Sequence, residues 1–466
     1  MRKWRMVYFM SVCITCLVIC QGCKKDFLDK KPASDITTPK SLADYQKLLE
    51  NNSLILSAGA LPQLSCDDYC FIDDRSWLNT NTATERNAYV WAKDIFGGEV
   101  ARADWNMPYR VVFYANAVLD GLQSFAVNAA STTEYNNLKG WALFLRSYAL
   151  YDLVRNFSPA YDSATAATDL GIPLKLQANV NTIVPRASVK NTYQQIIGDL
   201  QQAAVLVEPV LPGSNRNRPC KTAVYALLAR IFLSMNAYDN AAVYATNCLA
   251  FYDTLTDYRD IATNIPMPFI TTPAEVIFIN GIVPGYDVLF ATTSNAAIAV
   301  DSNLLQSYDA NDLRLLIYFR KDPSGNYVAK RGYMGQASFF PFAGLATDEM
   351  YLIKAECLAR QNDVTNAMNV LNRLLRNRYQ KDTFNGLGAS SPQEALRLVL
   401  LERRKELVWR GLRWSDLKRL NKENANIVLT HVVNGQVYTL LPNSALYVFP
   451  IPDDEIALSG IQQNNR

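Results

Sequence analysis

Residues 222–252 read TAVYALLARIFLSMNAYDNAAVYATNCLAFY, and this stretch decides the fold. Leu228, Ala229 and Phe232 fall on one helical face, and after a turn at Asn236-Ala237-Tyr238-Asp239 the pattern resumes at Ala241, Ala245, Cys248 and Leu249. Two apolar faces of period 3.6 separated by a short turn predict an antiparallel helix pair. Its second helix carries small residues on that face, so the two backbones can approach closely.

The unit recurs. Tyr351, Leu352, Ala355 and Leu358, followed by Ala367, Val370, Leu371 and Leu374, form a second copy. Looser pairs couple 105–122 with 138–154, and 189–207 with the helix that opens at Lys221. Helix pairs of this kind stack as tetratricopeptide-like arrays, because one pair cannot bury its apolar face alone. The expected fold is all-α, a tetratricopeptide-like helical-repeat core with long irregular insertions and minor β-hairpins. Leu61 to Asp104 is irregular, and Asp253 to Phe342 is rich in Pro, Asn, Thr, Tyr and Phe with short β-like runs such as Val276 to Asn280. Val428 to Val448 alternates like a small hairpin around Asn434-Gly435. Loops on a rigid scaffold are where binding surfaces usually sit.

The N-terminus predicts export. Arg2, Lys3 and Arg5 precede an apolar run from Met6 to Cys20, the layout of a signal segment. Gly22-Cys23 closes it as a lipoprotein signal does, so 1–22 is read as a signal peptide and Cys23 as a lipidated N-terminus that anchors the chain without spanning the membrane. The rest, 23–466, is expected to be one body. Its parts are 24–252 with helix pairs, 253–342 as an irregular insertion on the ligand face, and 343–466. Taking Arg2, Lys3 and Arg5 from the 46 basic residues leaves them equal to the 43 acidic ones, so no nucleic-acid footprint remains. Five cysteines follow Cys23, an odd and sparse set that excludes a disulfide scaffold. Cys66 and Cys70 are spaced for a bridge across Asp67-Asp68-Tyr69, but spacing leaves bridged and free forms equally open.

Catalytic motifs are missing. His431 is the single histidine, read as a surface or turn residue, and it makes a Ser-His-Asp triad improbable and a His-rich zinc site impossible. There is no phosphate-binding Gly loop and no HExxH. Glu402-Arg403-Arg404-Lys405-Glu406 puts two carboxylates one helical turn apart. A glycosidase pair needs roughly 5 to 10 Å across a cleft and differently tuned environments. The block reads instead as an ion network, with Arg413 and Arg419 as partners for Glu402, Glu406 or Asp416.

Taken together, these blocks resemble the SusD/RagB family of nutrient-uptake lipoproteins. The resemblance rests on Cys23-Lys24-Lys25-Asp26-Phe27-Leu28-Asp29 with Pro32, on Trp105, Tyr109 and Tyr114-Ala115-Asn116, and on Leu145-Arg146-Ser147-Tyr148. It continues through Asp169-Leu170-Gly171-Ile172-Pro173-Leu174, the Glu402 block with Gly411-Leu412-Arg413-Trp414 and Asp416-Leu417-Lys418-Arg419, and Pro450-Ile451-Pro452 with Gln463-Asn464. Arg410 departs from the family's frequent acidic residue. The resemblance implies a non-enzymatic outer-membrane surface lipoprotein that captures oligosaccharide and delivers it to a SusC-like TonB-dependent barrel. The alternatives are a RagB-type peptide binder and, from another class, a surface glycoside hydrolase using Asp67, Asp68, Asp73 or Glu85. A third reading is a scaffold that binds only the barrel. No cofactor is expected. Some family members hold calcium, but Asp67-Asp68 with Asp73 and Asp74 lack a spaced ligand loop.

Flat aromatic rings stack on sugar faces while Asn, Asp and Arg bond hydroxyls. On that chemistry the candidate ligand residues are Asp67, Asp68, Tyr69, Arg75, Trp77, Asn79, Tyr89 and Trp91 in one irregular region, and Tyr286, Phe290 and Tyr308 in the other. Trp105, Trp141, Trp409 and Trp414 are assigned to packing.

Overall fold

The computed structural model describes residues 39–466 apart from 52–53, 55, 100–102, 210, 212, 214, 287–296 and 336–339. The signal segment, Cys23 and Phe290 therefore lie outside the described residues. Nine described helices have ten or more residues: α1 (Ala103–Gln123), α2 (Thr132–Phe157), α3 (Val189–Leu206), α4 (Lys221–Ser234), α5 (Tyr238–Phe251), α6 (Thr347–Arg360), α7 (Val364–Leu375), α8 (Pro392–Glu406) and α9 (Arg413–Lys422).

Each helix packs on the next, α1 on α2 through to α4 on α5, and all four expected pairs are present. The array then skips about ninety residues, because α5 packs directly on α6, which holds α7 and α8. Small residues permit this: Ala241, Ala245 and Cys248 of α5 and Ala355 of α6 are fully buried. α2 is buried around its whole circumference from Gly140 to Phe157, the signature of a central helix. Gly140 is required there, since a Cβ would stand 2.6 Å from the Val207 side chain.

Helix ends follow their local sequence. Ser391 accepts from the Glu394 N–H at 3.2 Å just ahead of Pro392, and Asp363 accepts from Asn366 at 3.2 Å to start α7.

The described strands form six two-stranded pairs. Four strands matter for the site and a fifth and sixth make the hairpin: β1 (Tyr69–Phe71), β2 (Val276–Phe278), β3 (Ile298–Val300), β4 (Leu345–Ala346), β5 (Leu429–Val433) and β6 (Gln436–Leu440). β2 pairs antiparallel with β4, which runs straight into α6, so the long insertion is tied down where the helices resume. β5 and β6 pair around Asn434 and Gly435, both at positive φ (51° and 68°), as a two-residue hairpin turn demands.

Candidate functional site

The charged block on α8 and α9 folds inward. Arg314 and Arg378, from outside the block, are completely buried and bind its two glutamates. Arg314 Nη2 donates to Glu402 Oε2 at 2.6 Å and its Nη1 to Glu406 Oε2 at 2.9 Å, while Arg378 Nε donates to Glu406 Oε1 at 2.8 Å. Arg314 also grips Asp312, Arg378 reaches Glu275 at 2.9 Å, and Lys405 bonds Glu402 at 2.9 Å. Arg403 and Arg419 share Asp416, each at 2.8 Å, and Arg419 holds Glu356 with both terminal nitrogens. Burial alone would raise Asp416, yet these arginines keep its carboxyl below the usual range. An acid/base pair needs one free carboxyl facing a cleft, and these two have none. Glu275, Asp348 and Glu406 bring oxygens within 4.8 Å of one another, but Arg378, Arg410 and Arg314 already supply the positive charge a cation would bring.

Arg413 takes a different partner from those expected. Its Nε and Nη2 donate to the two oxygens of Asp67 at 2.7 and 2.8 Å, a bidentate fork across 346 positions of chain. Arg404 adds a 3.1 Å contact to Asp67 and donates to its backbone carbonyl at 2.9 Å. Burial would raise Asp67, but Arg413 and then Arg404 hold it well below the usual carboxylate range. Its neighbour is left the other way: burial and the Asp67 charge push Asp68 up to about 6. Asp73 caps the short helix Asp74–Leu78 by accepting from Ser76, and Asp74 accepts from Asn434 N at 2.6 Å. Cys66 and Cys70 are free thiols.

Most of the aromatic candidates also turn inward. Tyr69 donates to the Leu64 carbonyl at 2.8 Å, Trp91 to the Ser65 carbonyl at 2.9 Å, Tyr286 to Asp104 at 2.7 Å and Tyr308 to the Lys405 carbonyl at 2.7 Å. All four are buried, as is Tyr89. His431 is not a surface residue: β5 alternates, and it points to the buried face, between Tyr89 (ring centroids 3.9 Å, 7°) and Trp91 (4.5 Å, 20°). Its Nδ1 lies 2.7 Å from the Tyr89 carbonyl, and burial lowers its pKa despite that contact. These rings are core because each polar tip finds a backbone or carboxylate partner inside.

What stays at the surface is narrower. Arg75 and Asn79 are exposed on and after the short helix Asp74–Leu78, and Trp77 between them is half-buried with its Nε1 donating to the Arg86 carbonyl at 3.2 Å. The two irregular regions meet: β1 pairs antiparallel with β3, Tyr69 opposite Val300 and Phe71 opposite Ile298. Beside that junction, Val300, Phe319, Val408 and Trp409 pack together. There a cavity of about 60 Å³ opens, lined by Tyr318, Tyr333, Phe342, Trp409, Lys330 and Arg410 among others. Trp105, Trp141 and Trp414 are buried, but Trp409 is only half-buried and lines this cavity. It stands after α8, at φ 62° in the turn that ends at Gly411 (φ 63°). That glycine, in the six-residue connection between α8 and α9, is the sequence signal, since it marks a turn rather than a helix at Trp409.

A family model described as starch-binding and associating with the outer membrane matches residues 26–233, and one described as the SusD family matches 347–465. The chain belongs to the SusD/RagB family. Outside both matches lies 234–346, which holds α5 and the long insertion. Among curated proteins, SusD-like protein P2 of Formosa agariphila is 24% identical over 430 residues, covering 78% of this chain and 80% of its own. The fold matches a SusD superfamily protein from Bacteroides thetaiotaomicron with a TM-score of 0.74 at 20% identity, covering 92% of this chain and all of the other. It also matches a laminarin-binding SusD-like protein with a TM-score of 0.65 at 15% identity, covering 91% and 99%. SusD/RagB proteins of this type are carbohydrate binders associated with the outer membrane, and among the described residues no helix is long and apolar enough to cross a membrane.

Proposed function

We propose that this SusD/RagB chain is a non-enzymatic surface lipoprotein, anchored through lipid on Cys23, that captures an oligosaccharide and hands it to a SusC-like TonB-dependent barrel. The observation that carries the reading is the β1–β3 junction, which sets both irregular regions and the Trp409 cavity side by side on a rigid helical array. Half-buried Trp77 supplies a ring, and exposed Arg75 and Asn79 the hydrogen-bonding groups, that sugar faces and hydroxyls require. The hydrolase alternative loses support, because three of its four carboxylates are engaged, Asp67 in the Arg413 fork, Asp73 in a helix cap, and Glu85 buried with Thr82 donating to it at 2.7 Å, which leaves Asp68, pushed up to about 6 and buried, without a second free carboxyl to complete an acid/base pair.

The experiment is calorimetric binding of the chain from residue 24 onward against laminarin and other oligosaccharides and against peptides, with mass analysis of the ligand afterwards. Saturable glycan binding with unchanged ligand is expected. Binding of peptides alone would replace the glycan reading by the RagB-type one, and product formation would overturn both.

A further inference from the structure

Among the described residues two tryptophans hold positive φ, Trp91 at 54° and Trp409 at 62°. A bulky side chain in the left-handed region is strained, so the surrounding structure has to hold it there. For Trp91 the compensation is visible: it is buried, stacks on His431 and donates to the Ser65 carbonyl. Trp409 has no such return. It is half-buried, its Nε1 meets no hydrogen-bond partner among the described residues, and it lines the cavity of about 60 Å³ with Tyr318, Tyr333 and Phe342. Uncompensated strain of this kind collects at ligand sites.

The charges around that cavity do not balance. Among the described residues four charged ones line it: Glu406, Arg410, Lys330 and Arg331. Two are already answered, Glu406 by Arg314 and Arg378, and Arg410 by Asp348. Lys330 is not. It is half-buried, its Nζ donates to the carbonyls of Thr263 at 2.5 Å and Leu316 at 2.7 Å as a charged lysine does, and it pairs with no carboxylate among the described residues. Burial and then the Arg320 charge lower its pKa, and no acid offsets them. Arg331 adds a guanidinium beside it, with Nη1 3.5 Å from the Met267 sulfur. The acid of this hairpin, Asp322, is used in the turn at the far end from Lys330, accepting from the Ser324 and Asn326 N–H groups at 2.9 Å. A cleft lined by one sign of charge concentrates the opposite ion.

We infer that the Trp409 cavity is a subsite for an anionic substituent, a uronic-acid carboxylate or a sulfate ester, on one sugar of the captured oligosaccharide. The sugar lies on Trp409, and its acidic group enters the field of Lys330 and Arg331. About 60 Å³ suits a group of a few heavy atoms and not a whole pyranose ring. An ammonium partly removed from water without a counter-ion gains most from an anionic partner. The position is that of the ligand face, because β3 packs on the strand Tyr327–Ala329, which runs directly into Lys330. The inference rests on the glycan reading and adds to it a preference for acidic over neutral oligosaccharides.

The test is calorimetry of the chain from residue 24 onward, at low and high salt, against neutral laminarin oligosaccharides, oligogalacturonides that carry carboxylates, and carrageenan oligosaccharides that carry sulfates. At least one acidic series should bind about tenfold tighter than the neutral one at low salt and lose most of that advantage at high salt. Which series wins identifies the acidic group. Lys330→Met should bring the ratio of acidic to neutral Kd to about one, and Lys330→Arg, which keeps the charge, should retain the preference. A ratio is insensitive to a misfolded fraction, since that fraction scales both affinities alike. Trp409→Ala should weaken the acidic series by about tenfold. Equal affinity for acidic and neutral series, or an acidic preference that survives Lys330→Met or Trp409→Ala, would overturn the inference and leave the glycan reading standing. Binding of no glycan at all would overturn both.

Discussion

The segments 402–419 and 67–91 carry similar densities of residues that look functional, yet they are resolved differently. In the first, nearly every charge is buried and answered by another charge from a distant element, so the block is a clamp between α6, α8, α9 and the long insertion. In the second the residues divide by position: Tyr69, Tyr89 and Trp91 turn into the core, while Arg75, Trp77 and Asn79 remain outside. The lesson concerns saturation. A polar or aromatic side chain is available for a ligand only where the fold has not already used its hydrogen bonds and faces.

The sharpest way to break this contrast is Arg314→Leu. It strips a fully buried guanidinium from Asp312, Glu402 and Glu406, and leaving three buried carboxylates to be balanced by Lys405 and Arg378 alone should cost about 3 to 5 kcal/mol in urea unfolding. A cost below about 1 kcal/mol would mean that water reaches the network. Tyr89→Ala comes next, at about 3 kcal/mol, because it removes a buried ring from a stack with His431 and opens a cavity. Asp67→Asn should lose about 1 to 3 kcal/mol by breaking the Arg413 fork, with glycan affinity unchanged in calorimetry. A selective loss of affinity with intact stability would instead place Asp67 at the ligand.

His431 sharpens the comparison through pH. Its folded pKa lies below the unfolded value near 6.5, so the unfolded chain binds its proton first. The stability it contributes is fully present above about 6.5 and is lost as pH falls through the lower folded value. Asp68 acts in the opposite sense, its contribution fading as pH rises through about 6. The difference in urea midpoint between the native chain and His431→Phe should therefore narrow from pH 7.5 to pH 5. The smallest effect on stability is expected from Trp77→Ala, within about 1 kcal/mol for a half-buried ring. Its glycan Kd should nonetheless rise about tenfold, equivalent to about 1.4 kcal/mol. An unchanged Kd would move the ligand face to the Trp409 cavity.

Legibility in the sequence tracked the range of the interaction. The α4–α5 and α6–α7 pairs could be read because helix faces repeat within a few residues, and the β5–β6 hairpin because Asn434-Gly435 accepts positive φ. The inward role of the Glu402 block was also readable, since charges one turn apart on an apolar helix demand partners. Arg413 was assigned to nearby acids, but its partner is Asp67, and no local pattern connects residues 346 positions apart. In the sequence His431 reads as a surface or turn residue, because it sits beside a hairpin-like run, whereas β5 lays its inner face on Tyr89 and Trp91.

By itself, then, the sequence determined the helical array, its family, its long insertions and the absence of familiar catalytic motifs, all consequences of short-range periodicity and ordered blocks. Only the tertiary structure decided which aromatics are core, which arginine answers which carboxylate, and that β1 and β3 join the two irregular regions. The physical reason is that burial and charge pairing are properties of neighbours in space, and those neighbours come from hundreds of residues away along the chain.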